Sequence, residues 1–581
     1  MAATEMHGVM CGGEIRAADN AVVEEFMADN PGVNVTMEAV PWGTCQDKVI
    51  NLAIAGDPVS FSYVGSRTLK GLAENGHIVA VDIPDSQKQL QSAQRRISFA
   101  ELLILHVSMR MRKSANRKMT GKQIFLDDSW LQAAIASLPF TLTKAQMRVV
   151  DEILNDISKS NSMSRLVQGD VGSGKTIVAA LALAAITKNG AQAALMAPTS
   201  ILAEQHYKSI CSVLTGIPDL NLGGDDTPCI RLLLGSTSDA ERTEIANGLQ
   251  DGSIKILIGT HALIQDSVKF SNLALAVVDE QHRFGVEQRA ALRGKGDEPH
   301  LMVMTATPIP RSLALTLYGD LDLSIIDELP PGRRPVETRV VHPTQRKDMY
   351  NFISAQIKNG GQAFLIYPII EESDTLQVRA AVKEHKRLQN EVFSEFRVGL
   401  LHGRMKADDK YHEITNFRNG DIDILVSTTV IEVGVDIPNA SIMVIENANR
   451  FGLAQLHQLR GRVGRGEHKS YCLLVAEEKT ELFAENNKST NDRLKIMEST
   501  TDGFVLAEKD LQLRGPGDFL GTHQTGFSFQ LANLSDMALI QLTLTEAETL
   551  LNKDPELSMP EHSLLANIIF NNAQNYMTKR S

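Results

Sequence analysis

A glycine-rich stretch, VQGDVGSGKT at residues 167–176, has the residue types and the spacing needed to hold a chain of phosphates. It fits the pattern G-x-x-x-x-G-K-[ST], follows an apolar pair and precedes a helical pattern. Glycines let backbone N–H groups wrap the phosphates, and a helix N-terminus adds partial positive charge. Lys175 is expected to reach the β- and γ-phosphates of a nucleotide, and Thr176 to bind Mg²⁺. The predicted nucleotide ligands in this loop are Gly169, Gly172, Gly174, Lys175 and Thr176.

Two adjacent carboxylates follow a second apolar run, in LALAVVDEQH at residues 273–282. Asp279 at the end of a strand can hold Mg²⁺, and Glu280 can orient and deprotonate an attacking water. An acidic pair after a strand can also be an ordinary helix N-cap. The phosphate loop upstream favours the catalytic interpretation.

A third segment, QLHQLRGRVGRG at residues 455–466, is rich in arginine. The planar, permanently charged guanidinium suits a γ-phosphate whose charge is spread over three oxygens. The alternative is a solvated basic turn. We predict catalytic roles for Gln458, Arg462 and Arg465, with Arg460 beside them.

Alternating apolar runs and helical patterns must position these motifs. Fully apolar strands separated by helices indicate a parallel sheet covered on both faces. The pattern is interrupted by ELPPGRRPVET at residues 328–338, which reads as a linker, and then resumes. The sequence therefore predicts two tandem α/β units with one site at their interface. The predicted strand regions are 193–198, 254–259, 273–280, 301–308, 362–368, 397–403, 422–429, 441–447 and 471–476.

The composition indicates a large soluble chain. It has 581 residues, 43 % of them hydrophobic, and a formal charge of −12, so any polyanion must be held by local basic strips. The five cysteines are scattered, and neither a secretory signal nor an apolar run of bilayer length is present, which predicts a cytoplasmic location and no membrane partner. A basic cluster at 86–137 is either a solvated helix face or a phosphate-contacting surface. Its members are Lys88, Arg95, Arg96, Arg110, Arg112, Lys113, Arg117, Lys118 and Lys122.

The motifs, in their order, resemble the full series of superfamily 2 helicases, and most closely the RecG type. Such a chain is expected to contain two RecA-like P-loop lobes with parallel sheets and to use ATP and Mg²⁺ on duplex and branched DNA. The resemblance covers roughly residues 88–570. It rests on LPFTLTKAQ (138–146), GDVGSGKT, APTSILAEQH (197–206), IGTHALIQ (258–265), DEQH, TATP (305–308), LLHGRMK (400–406), STTVIEVGVDIP (427–438) and QLHQLRGRVGRG.

The resemblance also implies roles for residues outside the three motifs above. Gln146 corresponds to a glutamine that reads adenine, and Asp436 lies in a motif that couples nucleotide state to lobe position and is assigned to the nucleotide. The implied nucleic-acid contacts are Thr199, Thr260, His261, His402 and Ser427. The implied coupling residues are Gln281, His282, Thr305 and Thr307.

After the last helicase motif, RecG proteins and the transcription-repair coupling factor share a helical hairpin and a loop that converts lobe closure into movement on duplex DNA. Here QLRGPGDFLGTHQTG at residues 512–526 resembles that loop and follows a helical, charged segment. Arg493, Arg514 and Gln524 are expected to hydrogen-bond across it. The sequence RGPGDFLG in this loop favours RecG over the coupling factor, which stays the alternative.

The N-terminal region departs from the RecG pattern. Residues 1–85 resemble a fragment of an extracellular solute-binding protein, and the wedge domain that RecG proteins use on junctions is expected to be missing. Weakened junction recognition would follow, and a non-catalytic solute-binding fusion or a poorly folded fusion are further alternatives. The chain is expected to act as a monomer, with replication or repair proteins as candidate partners. The predicted regions are 1–85 (small α/β fragment), 86–137 (helical basic linker), 138–332 (first lobe), 333–480 (second lobe), 481–530 (hairpin and loop) and 531–581 (helical tail).

Overall fold

The computed structural model of the chain describes residues 4–11, 20, 23–24, 27–28, 33–40, 61–62, 87–117, 120–220, 229–280, 286–306, 310, 314, 321–331, 334–368, 374–428, 437–466, 468–476, 487–514, 532 and 536–569. Its contacts divide the chain into two compact units, Met1–Ala100 and Glu101–Ser581. Both predicted lobes belong to the second unit. No helix within the described ranges is long and apolar enough to span a membrane.

The first unit contains a small parallel sheet. Its strands are β1 (Thr4–Cys11), β2 (Val33–Val40) and β3 (Phe61–Ser62), in the order β2-β1-β3. Helix α1 (Gln87–Arg117) begins in this unit and continues into the second. The resemblance of residues 1–85 to a solute-binding protein stays a prediction.

A parallel sheet forms the centre of the first lobe. Its described strands lie in the order β10-β4-β9-β8-β5-β7-β6, and every described pair is parallel. They are β4 (Ser164–Gly169), β5 (Gln192–Met196), β6 (Ile230–Leu233), β7 (Ile256–Gly259), β8 (Leu273–Val278), β9 (His300–Thr305) and β10 (Asp322–Ile326). The helices are α2 (Asp128–Ala136), α3 (Lys144–Ile157), α4 (Lys175–Lys188), α5 (Ser200–Thr215), α6 (Asp239–Gln250) and α7 (Val286–Arg293).

Burial on both faces explains why the strands are apolar throughout. In β8, Leu275 and Val277 join the apolar cluster on one side of the sheet, whereas Ala276 and Val278 join the cluster on the other. Side chains alternate between the faces of a strand, so a strand buried on both sides needs apolar residues at every position. Helix α4 is likewise buried on all sides, as its uniformly apolar sequence predicts.

The second lobe repeats this architecture. Its described strands lie in the order β11-β16-β15-β12-β14-β13, again all parallel. They are β11 (Glu337–Val341), β12 (Gln362–Ile366), β13 (Val398–Leu401), β14 (Ile424–Ser427), β15 (Ala440–Ile445) and β16 (Tyr471–Val475). The helices are α8 (Arg346–Lys358), α9 (Asp374–Arg387) with the π-helical turn Leu388–Val392, α10 (Ala407–Asn419) and α11 (Leu453–Arg460). The prediction of two tandem parallel-sheet lobes is confirmed.

Helices follow the second lobe. Helices α12 (Asn487–Ser499) and α13 (Gly503–Arg514) contact each other across a short turn, as a helical hairpin requires. Helix α14 (Met537–Lys553) packs against α1, with Val107 and Ala547 in one apolar cluster. The predicted loop at 512–526 lies outside the described residues from residue 515 onward.

The basic cluster before the first lobe is partly used within the protein. Lys113 Nζ lies 2.7 Å from Asp322 of the first lobe, and Arg110 lies 3.0 Å from Glu548 of α14. Lys122 Nζ donates to the Asn272 side chain at 2.6 Å. These three cations therefore hold α1 and the segment after it to the rest of the second unit.

His106 makes this helix packing sensitive to acid. The ring is 1 % exposed on α1, and burial, followed by the charge of Arg110, lowers its pKa from 6.5 to about 4. The unfolded state binds the proton more tightly, so the contribution of His106 to stability is constant above pH 7 and falls as the pH drops from 6.5 towards 4. The loss reaches about 2 kcal/mol at pH 5.

Replacing His106 with leucine should therefore raise the urea midpoint at pH 5 far more than at pH 7.5. The measurement is the difference in midpoint between variant and wild type at the two pH values. Exposed His468 supplies the control, because His468→Leu should give no pH-dependent difference. Equal acid sensitivity of the wild type and His106→Leu would contradict the prediction.

Candidate functional site

Three neighbouring strands bring two of the predicted catalytic segments, together with the TATP segment, to one edge of the first sheet. The phosphate loop follows β4 and the acidic pair follows β8, while β9 lies between these two strands and ends at Thr305. Parallel strands point their carboxyl ends the same way, so all three segments emerge together. The strand order thus explains how motifs separated by a hundred residues meet.

A cleft of about 460 Å³ lies at this edge and is lined by both lobes. Nine predicted site residues line it: Gln146, Gly172, Gly174, Lys175, Thr176, Asp279, Glu280, Arg462 and Arg465. The cleft therefore contains five of the seven predicted nucleotide residues, both predicted metal residues and both predicted arginines, while Gly169 is not in its lining.

The phosphate loop is shaped by glycine and fixed by Gln146. Gly174 has φ +85°, a left-handed conformation, and a Cβ there would collide with the Gln146 side-chain amide. Gln146 Nε2 donates to the Ser173 carbonyl at 2.8 Å. Its Oε1 accepts from the Thr143 backbone N–H at 2.9 Å, which completes a capping box at the start of α3. One glutamine therefore ties helix α3 to the phosphate loop.

Lys175 is folded back onto its own loop. Its Nζ donates to the carbonyl oxygens of Gly169 and Asp170, both at 2.9 Å. Burial and then the nearby Arg465 charge lower its pKa, while the carboxylates of the site act in the opposite direction. Because the ammonium is desolvated and close to another cation, an anion in the cleft would be strongly attracted.

The acidic pair has two different environments. Burial opposes ionisation of Asp279, but a 2.7 Å hydrogen bond with His206 Nε2 and the nearby Lys175 charge outweigh it and keep the Asp279 pKa below its ordinary value. Burial and the adjacent Asp279 charge instead raise the pKa of Glu280. Glu280 also has φ +53°, a left-handed conformation that is uncommon for non-glycine residues. One carboxylate is therefore kept anionic and the other is made more basic.

The arginines come from the turn after α11 in the second lobe. Arg462 is close enough to Glu280 to lower the pKa of that carboxyl, and Arg465 acts in the same way on Lys175. Gln458 is buried in α11 and does not line the cleft, so its catalytic role stays a prediction.

The five predicted nucleic-acid residues lie at the carboxyl ends of strands but differ in exposure. His261 is exposed, whereas Thr199 and His402 are half-buried. Thr260 is buried, and Ser427 is completely buried with its hydroxyl donating to the Thr428 carbonyl at 2.8 Å. Only the first three present their side chains to a ligand in this conformation.

The predicted coupling residues are described in part. Thr305 is buried at the end of β9, and Arg493 is half-buried on α12. Arg514 ends α13, but its side chain is outside the described part of the chain. Gln281, His282, Thr307, Asp436 and Gln524 also lie outside the described residues.

Four residues of the site were not predicted from the sequence. Phe140, 49 % exposed, and His206 both line the cleft, and His206 holds Asp279. Asp170 of the phosphate loop and His457 of α11 form a 2.5 Å contact between the lobes. All four stand inside motifs that the sequence displays, but no spacing rule connects any of them to its partner.

Comparisons with known proteins agree with the geometry. Three family models match: DEAD/DEAH box helicase over residues 143–316, the helicase conserved C-terminal domain over 345–467, and ATP-dependent DNA helicase RecG, domain 3, C-terminal, over 500–574. A solved structure of RecG bound to a three-way DNA junction superposes with a TM-score of 0.67 at 38 % identity, covering 84 % of this chain and 66 % of that one.

Curated relatives are similar over most of this chain. An ATP-dependent DNA helicase RecG from Synechocystis sp. is 50 % identical over 485 residues, which is 83 % of this chain and 56 % of that protein. The protein of the same name from Bacillus subtilis is 46 % identical over 490 residues, or 84 % and 69 %. The chain spans 56 to 57 % of the length of three curated relatives, the Synechocystis protein among them. By sequence identity, coverage and fold, it belongs to the RecG family of helicases.

Proposed function

We propose that this protein is an ATP- and Mg²⁺-dependent motor that acts on duplex and branched DNA. The observation that carries the proposal is the cleft between the lobes, where the phosphate loop and acidic pair of one lobe face the arginines of the other. A nucleotide bound there would contact both lobes. Its hydrolysis would therefore change how the lobes are held together.

The cleft fits a nucleoside triphosphate in volume and charge. Its three cations, Lys175, Arg462 and Arg465, exceed its two carboxylates, so the cleft attracts a polyanion. Phe140 is an exposed aromatic ring on the same cleft as Gln146, and a base stacked on the ring could be read by the amide. Both ends of the ligand thus have partners of suitable chemistry.

The donor set also fits Mg²⁺. The Thr176 hydroxyl and the anionic Asp279 carboxylate line the cleft, and oxygen ligands are those that Mg²⁺ prefers. When bound, the ion would neutralise charge on the β- and γ-phosphate oxygens. Thr176 and Asp279 would hold it, directly or through water.

The protein's own residues divide the work of hydrolysis. Lys175 leaves its loop carbonyls and binds the phosphates. Glu280, made more basic by its surroundings, orients the attacking water and takes its proton. Arg462 and Arg465 stabilise the charge that develops on the transferred phosphoryl group.

His206 would act as a positioning residue for the metal ligand. Its hydrogen bond fixes the Asp279 carboxylate, and loss of such an outer partner typically weakens metal affinity 10- to 100-fold, roughly. His206→Leu should therefore raise the Mg²⁺ concentration needed for half-maximal ATP hydrolysis by about tenfold. A magnesium titration at saturating ATP measures this, with His412→Leu on the exposed face of α10 as control. An unchanged magnesium requirement would remove His206 from the metal site.

Movement along duplex DNA is the second part of the proposal. It is supported by family membership, by the relatives' name of ATP-dependent DNA helicase, and by the helical pair α12–α13 after the second lobe. Displacement of a triplex-forming strand from linear duplex tests it. We expect ATP-dependent displacement by the wild type and none by Lys175→Ala. Displacement that needs no ATP, or none with active ATPase, would contradict the proposal.

We further propose that junction unwinding is weaker than in the curated RecG relatives. The proposal is supported by residues 1–85, whose predicted resemblance is to a solute-binding protein rather than to the wedge domain of RecG proteins. The measurement is fork unwinding per ATP hydrolysed, compared with the same ratio for the Synechocystis RecG. Equal unwinding per ATP would contradict the proposal of weaker junction unwinding and leave the rest of the proposed function standing. A monomeric, cytoplasmic protein with replication or repair partners completes the proposal.

A further inference from the structure

A hydrogen-bonded chain connects the phosphate loop of the first lobe to the helical pair after the second. His457 Nε2 lies 2.5 Å from Asp170 Oδ1, and Arg460 Nη2 lies 2.9 Å from His457 Nδ1. A guanidinium can only donate, so Nδ1 must accept and the proton must sit on Nε2, which donates to Asp170. A neutral imidazole therefore bridges a buried cation and a carboxylate, accepting from the guanidinium and donating to the carboxylate.

Arg460 anchors this chain in the turn between α12 and α13. Its guanidinium donates to the carbonyls of Met497 at 3.0 Å, Thr500 at 2.8 Å and Thr501 at 3.1 Å. The last carbonyls of a helix have no partner within the helix, and cations are favoured there. Arg460 is 3 % exposed, so the turn following α12 is held by a desolvated charge rather than by solvent.

Asp170 reaches the same turn directly. Its second carboxylate oxygen, Oδ2, accepts from the backbone N–H of Gly503, the first residue of α13, at 3.4 Å. An anion is favoured at a helix N-terminus. Burial would raise the pKa of Asp170, but the hydrogen bond from His457 and the nearby charges hold it below its ordinary value, so the carboxylate stays charged.

The phosphate loop has no room to move without affecting this contact. A Cβ on Gly461, which follows Arg460, would lie 2.8 Å from Val171 Cβ. The second lobe is therefore closely packed against the phosphate loop at this point. Lys175 now holds the Asp170 carbonyl at 2.9 Å. A phosphate bound in the proposed nucleotide site would draw the ammonium away, and residue 170 would then lose that bond.

We propose that Asp170, His457 and Arg460 form a relay through which occupation of the phosphate loop sets the position of the turn between α12 and α13. The relay rests on the proposed nucleotide site and is separate from Arg462 and Arg465, which face the cleft. The three residues are positioning residues, since none of them reaches the reacting atoms. The relay implies that nucleotide binding alone, without DNA, changes the position of the turn between α12 and α13.

Hydrogen exchange on the full chain tests the relay. The probe is adenylyl imidodiphosphate with Mg²⁺, and the readouts are deuterium uptake in a peptide covering 169–176 and in one covering 497–506. In the wild type we expect protection of the first and a change of about fivefold in exchange at the Gly503 amide, the scale of one hydrogen bond made or broken. His457→Leu should abolish the second effect and keep the first.

A matched set of variants separates the relay from a general structural role. His457→Gln keeps one donor and one acceptor and should retain at least about half of the response of the turn. Asp170→Asn loses the charge and should not retain it. His457→Leu should also lower duplex-stimulated kcat about tenfold while the KM for ATP changes less than about threefold. His412→Leu, an exposed histidine on α10, should change neither.

The outcomes separate the relay from the function on which it rests. If nucleotide protects 169–176 in the wild type but leaves exchange in the turn between α12 and α13 unchanged, the relay is overturned and the nucleotide site stands. This test needs no variant to fold. A response of His457→Leu equal to that of the wild type also overturns the relay. If 169–176 is not protected, the proposed nucleotide site fails, and the relay with it.

Discussion

Replacing Glu280 with glutamine should lower the turnover number for ATP hydrolysis by about 10³-fold, the usual contribution of a positioned general base. The side chain keeps its size, and the cations that attract the nucleotide remain, so ATP affinity should change little. A fluorescent ATP analogue titrated into both proteins measures affinity, and steady-state hydrolysis at saturating ATP measures turnover. The variant should therefore bind nucleotide and fail to cleave it.

The pH dependence supplies a second readout for Glu280. Because its pKa is raised, the carboxylate gains its proton as the pH falls through a value above the ordinary 4.5 of a glutamate, and wild-type turnover should fall with it. Residual hydrolysis by Glu280→Gln should lack this acid limb. Exposed Glu391 provides the control, and Glu391→Gln should match the wild type. Turnover reduced less than about tenfold, with the acid limb intact, would assign the base elsewhere.

Replacing Arg462 or Arg465 with alanine should reduce kcat by about 10³-fold or more, the effect typical of an arginine that stabilises phosphoryl transfer. The physical reason is that charge on the phosphoryl oxygens grows in the transition state, where a guanidinium is worth most. The KM for ATP should rise much less than kcat falls, because ground-state binding rests mainly on the phosphate loop. Lysine at either position should rescue little, since it lacks the planar fork.

Arg339 on β11 is the matched control for the arginines. Its side chain is 69 % exposed and pairs with Glu337 on the same strand, so Arg339→Ala should leave hydrolysis unchanged. A large rise in KM with kcat preserved at Arg462 and Arg465 would mean that they bind the nucleotide without assisting its cleavage. Full activity of both alanine variants would mean that neither arginine takes part in hydrolysis.

Much of the fold follows from local patterns, and the exceptions have a physical reason. The central strands β8, β9, β12 and β15 are apolar at nearly every position because both faces are covered, and such runs are legible in a sequence. The edge strand β13 lies in the predicted region 397–403, but the edge strands β6, β10 and β11 lie outside every predicted strand region. β6 has half-buried Arg231 and Leu232 between buried residues, and β11, which among the described strands pairs only with β16, carries Glu337 and Arg339. Short, partly polar strands of four or five residues carry too weak a pattern to stand out.

The site shows a similar limit. Gln146, Lys175, Asp279 and Arg465 belong to patterns whose chemistry can be stated from the residues or from resemblance, and the structure places them on one cleft. His206 and His457 act through partners 73 and 287 residues away, which only the folded sheets bring into contact. A hydrogen bond between lobes leaves no periodicity in the sequence, so the relay could not have been predicted from it.

Steady-state hydrolysis shows whether the cleft hydrolyses ATP in response to DNA. Rates are measured with no DNA, single-stranded DNA, linear duplex and a three-way junction, for the wild type and Lys175→Ala. We expect duplex and junction to stimulate the wild type, and Lys175→Ala to lose hydrolysis with every DNA. A wild-type rate that no DNA changes, or DNA-stimulated hydrolysis that survives in Lys175→Ala, would contradict the proposed function.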